Sequence, residues 1–194
     1  MDISLQAHEI LEFWFGKPDE VDYGKPRKVW FIKNPEFDQD VRSRFMKHYE
    51  QAATGQLDEW KASPLSCLAL IILLDQFPRH MFRGQPQAFA TDPKALAYAQ
   101  HAVAQGFDKT LVAVQRWFVY LPFEHSEDLN HQRHCVELYE QMSDDPDMAD
   151  AMIYAIKHLE VIERFGRFPH RNKILGRETT PEEAEFLKQP GSSF

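Results

Sequence analysis

Four dipeptides in which a polar residue precedes proline constrain the fold of this chain: Asn34-Pro35, Ser63-Pro64, Asp92-Pro93 and Thr180-Pro181. Such pairs are typical of helix N-termini, because the polar side chain caps free N–H groups and proline suits the first helical turn. Glu183, three residues after Thr180, completes a capping box. Helix starts therefore recur along the chain, whereas signals for β-strands do not.

Apolar residues between these starts follow the period of an α-helix. Phe37, Val41, Phe45 and Tyr49 fall four residues apart and so share one helix face. Starts and periodicity together predict helices over 4–15, 35–53, 64–77, 92–105, 108–120, 127–142, 146–165 and 181–189. We therefore expect one all-α domain over residues 1–194, with seven or eight main helices and short connections.

Prolines and glycines predict where these helices stop. Pro78 and Pro122 are expected to end the third and fifth helices, because proline has no N–H to donate to the preceding turn. Ser126 is placed to cap the helix that follows Pro122. Gly166 is expected at the C-terminus of the long helix, where a left-handed residue is common.

Composition excludes several classes of protein. The 194 residues include 43% apolar side chains, enough for a sizeable core, and carry a net charge of −8. An acidic chain lacks the positive surface that nucleic-acid binding needs, so we expect no nucleic-acid partner. The longest apolar run, 64–74, is about half of a membrane span. No signal peptide precedes it, so we expect a cytoplasmic protein with no membrane partner.

No cofactor is expected from the sequence. Cys67 and Cys135 lie far apart and lack the spacing of a zinc site, so we interpret them as buried thiols in a reducing compartment. The eight glycines are scattered and form neither a phosphate loop nor a dinucleotide fingerprint.

Polar chemistry is gathered in three stretches. "LLDQFPRHMFRG" (73–84) and "ERFGRFPHRNKILGR" (163–177) are cationic, and "YLPFEHSEDLNHQRH" (120–134) carries several carboxylates. Opposite charges among apolar residues must pair, because unpaired burial is costly. We therefore expect the basic stretch to fold back onto carboxylates of other segments. "FPRH" (77–80) and "FPHR" (168–171) also echo each other, as an internal repeat would.

These motifs resemble a known family. "LLDQFPRHMFRG", "LPFEHSED" (121–128) and "RFGRFPHRNKILGR" (164–177) are similar to motifs of an uncharacterised bacterial family of unknown function that is structurally similar to tetratricopeptide-repeat proteins. The resemblance implies an α-α superhelix of helical hairpins. It implies no particular activity, because the family is uncharacterised. No clear 34-residue period is visible in this sequence, so binding of a peptide along many repeats is not expected.

Two interpretations of the polar stretches stay open at this level. The charges could form a purely structural network that caps helix ends and bridges hairpins. Alternatively, they could form a pocket for a small anionic ligand or a peptide carboxylate, because arginine offers two parallel donors to such groups. The candidate binding residues are Asp75, Arg79, Arg83, Glu124, His125, Glu127, His158, Arg164, Arg167, His170 and Arg171.

Catalysis is the alternative function. His125 and Glu124, or His170, are candidates for acid–base work in a hydrolase or a metal-dependent enzyme that also uses Glu127. Glu127, His131 and His134 follow i, i+4, i+7 spacing and could present metal ligands on one helix face, but a solvated face is the preferred interpretation. No metal is therefore expected. A third hypothesis is a protein-interaction subunit, and a homodimer is left open.

Overall fold

The computed structural model describes residues 4–193, and it confirms the all-α class. Within that range the chain forms α-helices, short helical turns and loops, with no strand. The helices are α1 (Leu5–Phe15), α2 (Pro35–Ala53), α3 (Pro64–Ile71), α4 (Phe77–Met81), α5 (Asp92–Ala104), α6 (Ala113–Glu124), α7 (Leu129–Glu140), α8 (Ala149–Phe165) and α9 (Pro181–Phe186).

The centre of the fold is the segment that runs from α3 into α4. Residues 66–78 are buried on every side, which is the pattern of a helix inside a core. α3 packs against α1, α5 and α6, while α2 packs against α4. A smaller apolar cluster of Val161, Ile162 and Phe168 forms where the chain leaves α8.

The prediction that Pro78 ends the third helix is wrong. A π-helical turn over Ile72–Gln76 joins α3 to α4, so that Pro78 lies in the first turn of α4. Proline leaves nearby carbonyl groups without their helical donor. Here the hydroxyl of Thr91 donates to the Leu74 carbonyl at 2.6 Å, and the guanidinium of Arg79 donates to the Asp75 carbonyl. These side chains allow the helical path to continue.

Two further boundaries differ from the sequence prediction. α6 continues past Pro122 to Glu124, because this proline lies in the last turn of a helix that is held by packing against α3, α5 and α7. Asp128, not Ser126, caps α7, and its carboxylate accepts from the N–H groups of Asn130 and His131. Glu127 consequently lies before the helix rather than on it.

The end of the chain returns across the ends of α6 and α7. Gly166 terminates α8 with a left-handed φ of 65°, as the sequence predicts. The returning segment is fixed by two ion pairs: Arg177 donates to both oxygens of Glu127, at 2.7 and 3.0 Å, and Arg167 donates to both oxygens of Glu183. The capping box of Thr180 and Glu183 that starts α9 is present as well. This return places residues 168–171 over α4 and α6.

Replacing Thr91 by valine tests the account of Pro78. Thr91→Val keeps the shape of the side chain but leaves the buried Leu74 carbonyl without a donor. We expect a loss of about 1–2 kcal/mol in the free energy of unfolding, measured with urea. Thr110→Val is the matched control, because its hydroxyl donates to the Phe107 carbonyl at an exposed site where water can replace it. Equal effects of the two substitutions would contradict the account.

Candidate functional site

A buried carboxylate lies at the base of the site. Asp75 ends the central apolar segment and is fully buried, so its charge requires partners. The Asp75 Oδ1 atom lies 2.7 Å from Nδ1 of His125 and 3.5 Å from the Arg79 guanidinium, and Gln76 donates to Oδ2. Burial alone would raise the pKa of Asp75, but Arg79 and His125 more than offset this and hold it at about 2.

His125 is oriented by this carboxylate. Burial and the nearby Arg79 charge lower the pKa of His125, so the ring is neutral at neutral pH. Because an ionised Asp75 can only accept, the Nδ1 atom of His125 carries the proton. The Nε2 atom is then an acceptor, and the ring lines two cavities that adjoin here.

Most donors of the Arg79 guanidinium are used in hydrogen bonds within the protein. Its guanidinium donates to both oxygens of Asp92, at 3.0 and 3.1 Å, in addition to the Asp75 carbonyl. Such two-pronged pairs are the strongest geometry that arginine offers. Arg79 therefore links the end of the central segment to the start of α5, and few of its donors remain for anything else.

Arg171 is the exception among the buried charges. Its guanidinium lies between the rings of Phe89 and Phe168, at 4.8 and 4.5 Å from their centres, and the residue is only 7% exposed. Its nearest carboxylate oxygen, on Asp92, is 3.7 Å away. Within residues 4–193, the buried Nε atom has no hydrogen-bond partner. Burial lowers the pKa of Arg171 to about 10, so the group remains charged at neutral pH.

The first cavity, here called the basic cavity, has a volume of about 270 Å³. Arg79, Arg83 and Arg171 line it together with the four histidines His80, His125, His158 and His170. Its other walls include Trp30, Phe31 and Phe89, and no carboxylate is among its described lining residues. The two echoing sequences, 77–80 and 168–171, thus each contribute their last two residues to the lining of one cavity.

The second cavity, here called the apolar cavity, has a volume of about 350 Å³. Most of its wall is apolar, and it shares Phe89, His125 and Arg171 with the basic cavity. The carboxylates of Asp92 and Glu127 also line it, and both are paired with arginines of the surrounding structure.

Neutral groups lie behind the basic cavity. His158 Nδ1 is 2.8 Å from the Tyr154 carbonyl and 3.1 Å from the Glu124 carboxyl. Burial lowers the pKa of His158 to about 3 and raises the pKa of Glu124 to about 8, so at neutral pH both are uncharged. Burial, aided by the Arg171 charge, also lowers the pKa of His170 to about 3. The histidines therefore add polarity to the cavity but no net charge.

Comparison with known proteins identifies the family. The profile described as "Bacterial protein of unknown function (DUF924)" matches residues 10–191. The chain belongs to this family. A solved relative, "Structure of Protein of Unknown Function ATU0120 from Agrobacterium tumefaciens", is 40% identical, covers 96% of this chain and 99% of its own, and superimposes with a TM-score of 0.84. The comparison with curated proteins gave no match. Family membership, predicted from the motifs, is thus confirmed.

The structure of this DUF924 chain brings seven of the predicted site residues to one place. The group around the basic cavity comprises Asp75, Arg79, Glu124, His125, His158, His170 and Arg171. Arg83 also lines this cavity, and its guanidinium donates to both oxygens of Asp38. The neighbouring His80 ring contacts one of these oxygens through Nδ1.

Three predicted residues lie elsewhere. Arg164 pairs with Glu182 at an exposed position, and Arg167 is held by Glu183 and the Glu178 carbonyl. Arg164, in the last turn of α8, and Arg167, just after this helix, both pair with glutamates of α9, so they belong to the structural ion pairs. Glu127 is engaged by Arg177 and by the Phe168 N–H group and contacts only the apolar cavity.

The alternative triplet Glu127, His131 and His134 does not share one helix face, because Glu127 precedes α7. His131 contacts Ser126, and His134 contacts Glu137. Across residues 4–193, no group of three or more His, Cys, Asp or Glu side chains is arranged to hold a metal ion. Over the same residues, no helix is both long and apolar enough to cross a bilayer.

Sequence reasoning missed Asp92 and Phe89. The sequence predicts that Asp92 caps the start of a helix. In the structure Thr91 occupies the cap position, and its hydroxyl donates to the Leu74 carbonyl. The carboxylate of Asp92 is therefore directed to the arginines. Phe89, in the sequence "FATD" that precedes α5, carried no polar signal of its own.

The raised pKa of Glu124 predicts a pH-dependent stability. Unfolded Glu titrates near pH 4.3 and folded Glu124 at about 8, so between these values the folded state holds one more proton. Histidines whose pKa is lowered by folding, such as His158 at about 3, titrate in the unfolded state over part of this range and give a slope of the opposite sign. The contribution of Glu124 is therefore the difference between the wild type and Glu124→Gln, and we expect it to lower the free energy of unfolding by about 1.4 kcal/mol per pH unit from about pH 6 to about pH 7.

Glu124→Gln should remove this slope and be the more stable protein at pH 8, as measured by urea unfolding at several pH values. Glu140→Gln, an exposed position, is the control and should remain parallel to the wild type. If Glu124→Gln also remains parallel, the carboxyl is ionised in the folded protein.

Proposed function

We propose that this protein binds a small anion, or the anionic group of a larger ligand, in the basic cavity with Arg171 as the main contact. The observation that carries the proposal is the Arg171 guanidinium, which is buried and charged but donates to no carboxylate of residues 4–193 within hydrogen-bond distance. A ligand carboxylate or phosphate would supply the two acceptors that such a group prefers.

Comparison with the other arginines argues against a purely structural role for Arg171. Arg79, Arg83, Arg167 and Arg177 each donate to both oxygens of a carboxylate. These pairs fix α4, α5, α9 and the returning segment. Arg171 makes no such pair, although burying a charge costs several kcal/mol unless hydrogen bonds offset the cost. A bound anion would supply the hydrogen bonds that offset the cost of burying the Arg171 charge.

The size of the basic cavity limits the ligand. About 270 Å³ suits a small molecule or one terminal group rather than an extended chain. His125 adds an Nε2 atom that can accept from a polar group of the ligand, while Trp30 and Phe31 offer flat apolar walls. The peptide hypothesis is thereby reduced to recognition of a single carboxylate.

Arg171→Met tests the proposal, because methionine keeps much of the apolar volume and removes the charge. We expect binding of acetate and inorganic phosphate, measured by isothermal titration calorimetry, to fall at least about 10-fold. The melting temperature should stay level or rise, since the buried Nε donor of Arg171 lacks a hydrogen-bond acceptor within residues 4–193 and its partner Asp92, 3.7 Å away, keeps both hydrogen bonds from Arg79.

Arg133→Met is the matched control, because Arg133 is exposed on α7 with one contact of 3.4 Å to Glu163. It should change neither binding nor stability. A strongly destabilised Arg171→Met protein with unchanged anion affinity would show that Arg171 is structural and would overturn the proposal.

Acid–base catalysis is the second candidate function, favoured by the 2.7 Å contact between Asp75 and His125. A carboxylate that orients a neutral imidazole toward a cavity is the arrangement of a general base. The partner of His125 is thus Asp75 rather than Glu124 or Glu127. Burial raises the pKa of Cys67 to about 12 and also raises the pKa of Cys135, so neither thiol is a nucleophile. His125 would act on water or on the bound molecule itself.

His125→Asn tests catalysis in a panel of carboxylic and phosphoric ester, amide and lactone substrates. An enzyme of this kind should lose at least about 100-fold in kcat/KM, while His134→Asn, on an exposed face of α7, should retain full activity. Activity that is equal in both variants, or that is absent throughout the panel, would count against the catalytic role and leave the binding role in place.

Homodimer formation and a cytoplasmic location stay predictions. α8 presents Ile153, Tyr154 and Ile156 at its surface, with exposed fractions of 49%, 49% and 42%. This is the apolar surface at which a protein partner or a second copy would be sought first.

A further inference from the structure

The basic and apolar cavities together define a chemical class of ligand. We infer that the ligand is an amphipathic monocarboxylate, whose carboxylate contacts Arg171 in the basic cavity and whose short aliphatic or aromatic tail occupies the apolar cavity. This inference rests on the proposed anion-binding function and adds the nature of the rest of the molecule.

The first step is the shared wall. Phe89, His125 and Arg171 line both cavities. The Arg171 guanidinium stacks on Phe89, so a group held by this arginine lies beside a ring that belongs to the apolar cavity as well. In the proposed arrangement, a ligand anchored at Arg171 therefore extends past these shared side chains into the apolar cavity.

The second step is the composition of the apolar cavity. Its wall is formed by Pro86, Ala90, Pro93, Leu96, Pro122 and Leu175, in addition to Phe89. Its volume of about 350 Å³ is that of a site for a small molecule, where apolar walls dominate and few polar groups set the orientation. Three of these residues are prolines with a fixed backbone angle, so the wall is shaped in advance of binding.

The third step is orientation. Asp92 and Glu127 line the apolar cavity, whereas none of the described residues that line the basic cavity is a carboxylate. Although both are paired with arginines, Asp92 and Glu127 present hydrogen-bond acceptors to the apolar cavity, whereas the arginines of the basic cavity present donors. A negative group therefore fits the basic cavity better than the apolar cavity. The charged end of the ligand must therefore lie in the basic cavity and the uncharged end in the apolar one.

The fourth step is the charge of the ligand. Arg79 donates to Asp92 and Arg83 donates to Asp38, so these two arginines are already neutralised. Among the three arginines that line the basic cavity within residues 4–193, Arg171 is the one that donates to no carboxylate, and its buried Nε atom has no hydrogen-bond partner. One free pair of donors matches one carboxylate, while a doubly charged phosphate would need a second cation.

Isothermal titration calorimetry with acetate, butanoate, hexanoate and the neutral hexanamide tests the inference at constant ionic strength. Each added methylene group that enters the apolar cavity strengthens binding. We expect hexanoate to bind at least about 10-fold more tightly than acetate, and hexanamide to bind at least about 10-fold more weakly than hexanoate.

Two variants locate the tail. Leu175→Asn, at a position that is 37% exposed, should reduce the preference for hexanoate over acetate and leave acetate binding unchanged. Leu65→Asn is the matched control, because this leucine on α3 is 38% exposed and lines neither cavity. Leu65→Asn should leave the affinities for acetate, butanoate and hexanoate equal to those of the wild type.

The outcomes separate this inference from the proposed function. Equal affinity for acetate and hexanoate, both lost in Arg171→Met, would overturn the amphipathic ligand and leave anion binding in place. Tighter binding of inorganic phosphate than of hexanoate would also overturn it. Equal binding of hexanamide and hexanoate, or no binding of acetate, hexanoate or inorganic phosphate up to about 10 mM, would overturn both.

Discussion

The buried carboxylate of Asp75 is the interaction on which the polar half of this structure depends. It lies at the end of the most apolar segment of the chain, where an unpaired charge would cost several kcal/mol. Its partners are fixed in consequence: His125 from the end of α6, and Arg79 from the next turn of its own helix. The central segment and the end of α6 are thereby joined at one point.

The consequence for Arg171 follows from the geometry of Asp92. Both oxygens of this carboxylate already accept hydrogen bonds from Arg79, and the same side chain is 3.7 Å from Arg171. Asp92 therefore offsets the charge of Arg171 over a longer distance without satisfying its donors. The charge of Arg171 is thus partly balanced by Asp92, while its N–H donors form no hydrogen bond with this carboxylate. A buried cation in this state can still bind an anion.

Local signals predicted the helices well and the site only in part. Asn34, Gly166 and Thr180 act as predicted because caps depend on neighbouring backbone groups alone. Pro78 does not act as predicted, because Thr91, thirteen residues later, supplies the missing donor. Arg167 and Arg171 share one sequence motif, yet one faces Glu183 and the other the cavity. That difference depends on how the returning segment packs, which residue types and spacing do not specify.

The uncharged groups around Arg171 strengthen its effect. Glu124, His158 and His170 are all kept neutral by burial, so they neither screen the guanidinium nor compete with it for an anion. A single charge in such surroundings interacts more strongly with an incoming carboxylate than it would at the surface, because little water remains to weaken the field. Because the pKa of His170 is about 3, its ring would add a second positive charge beside Arg171 only in strongly acidic solution. The same burial that keeps these groups neutral thus sets both the strength of the site and its preference for one negative charge at neutral pH.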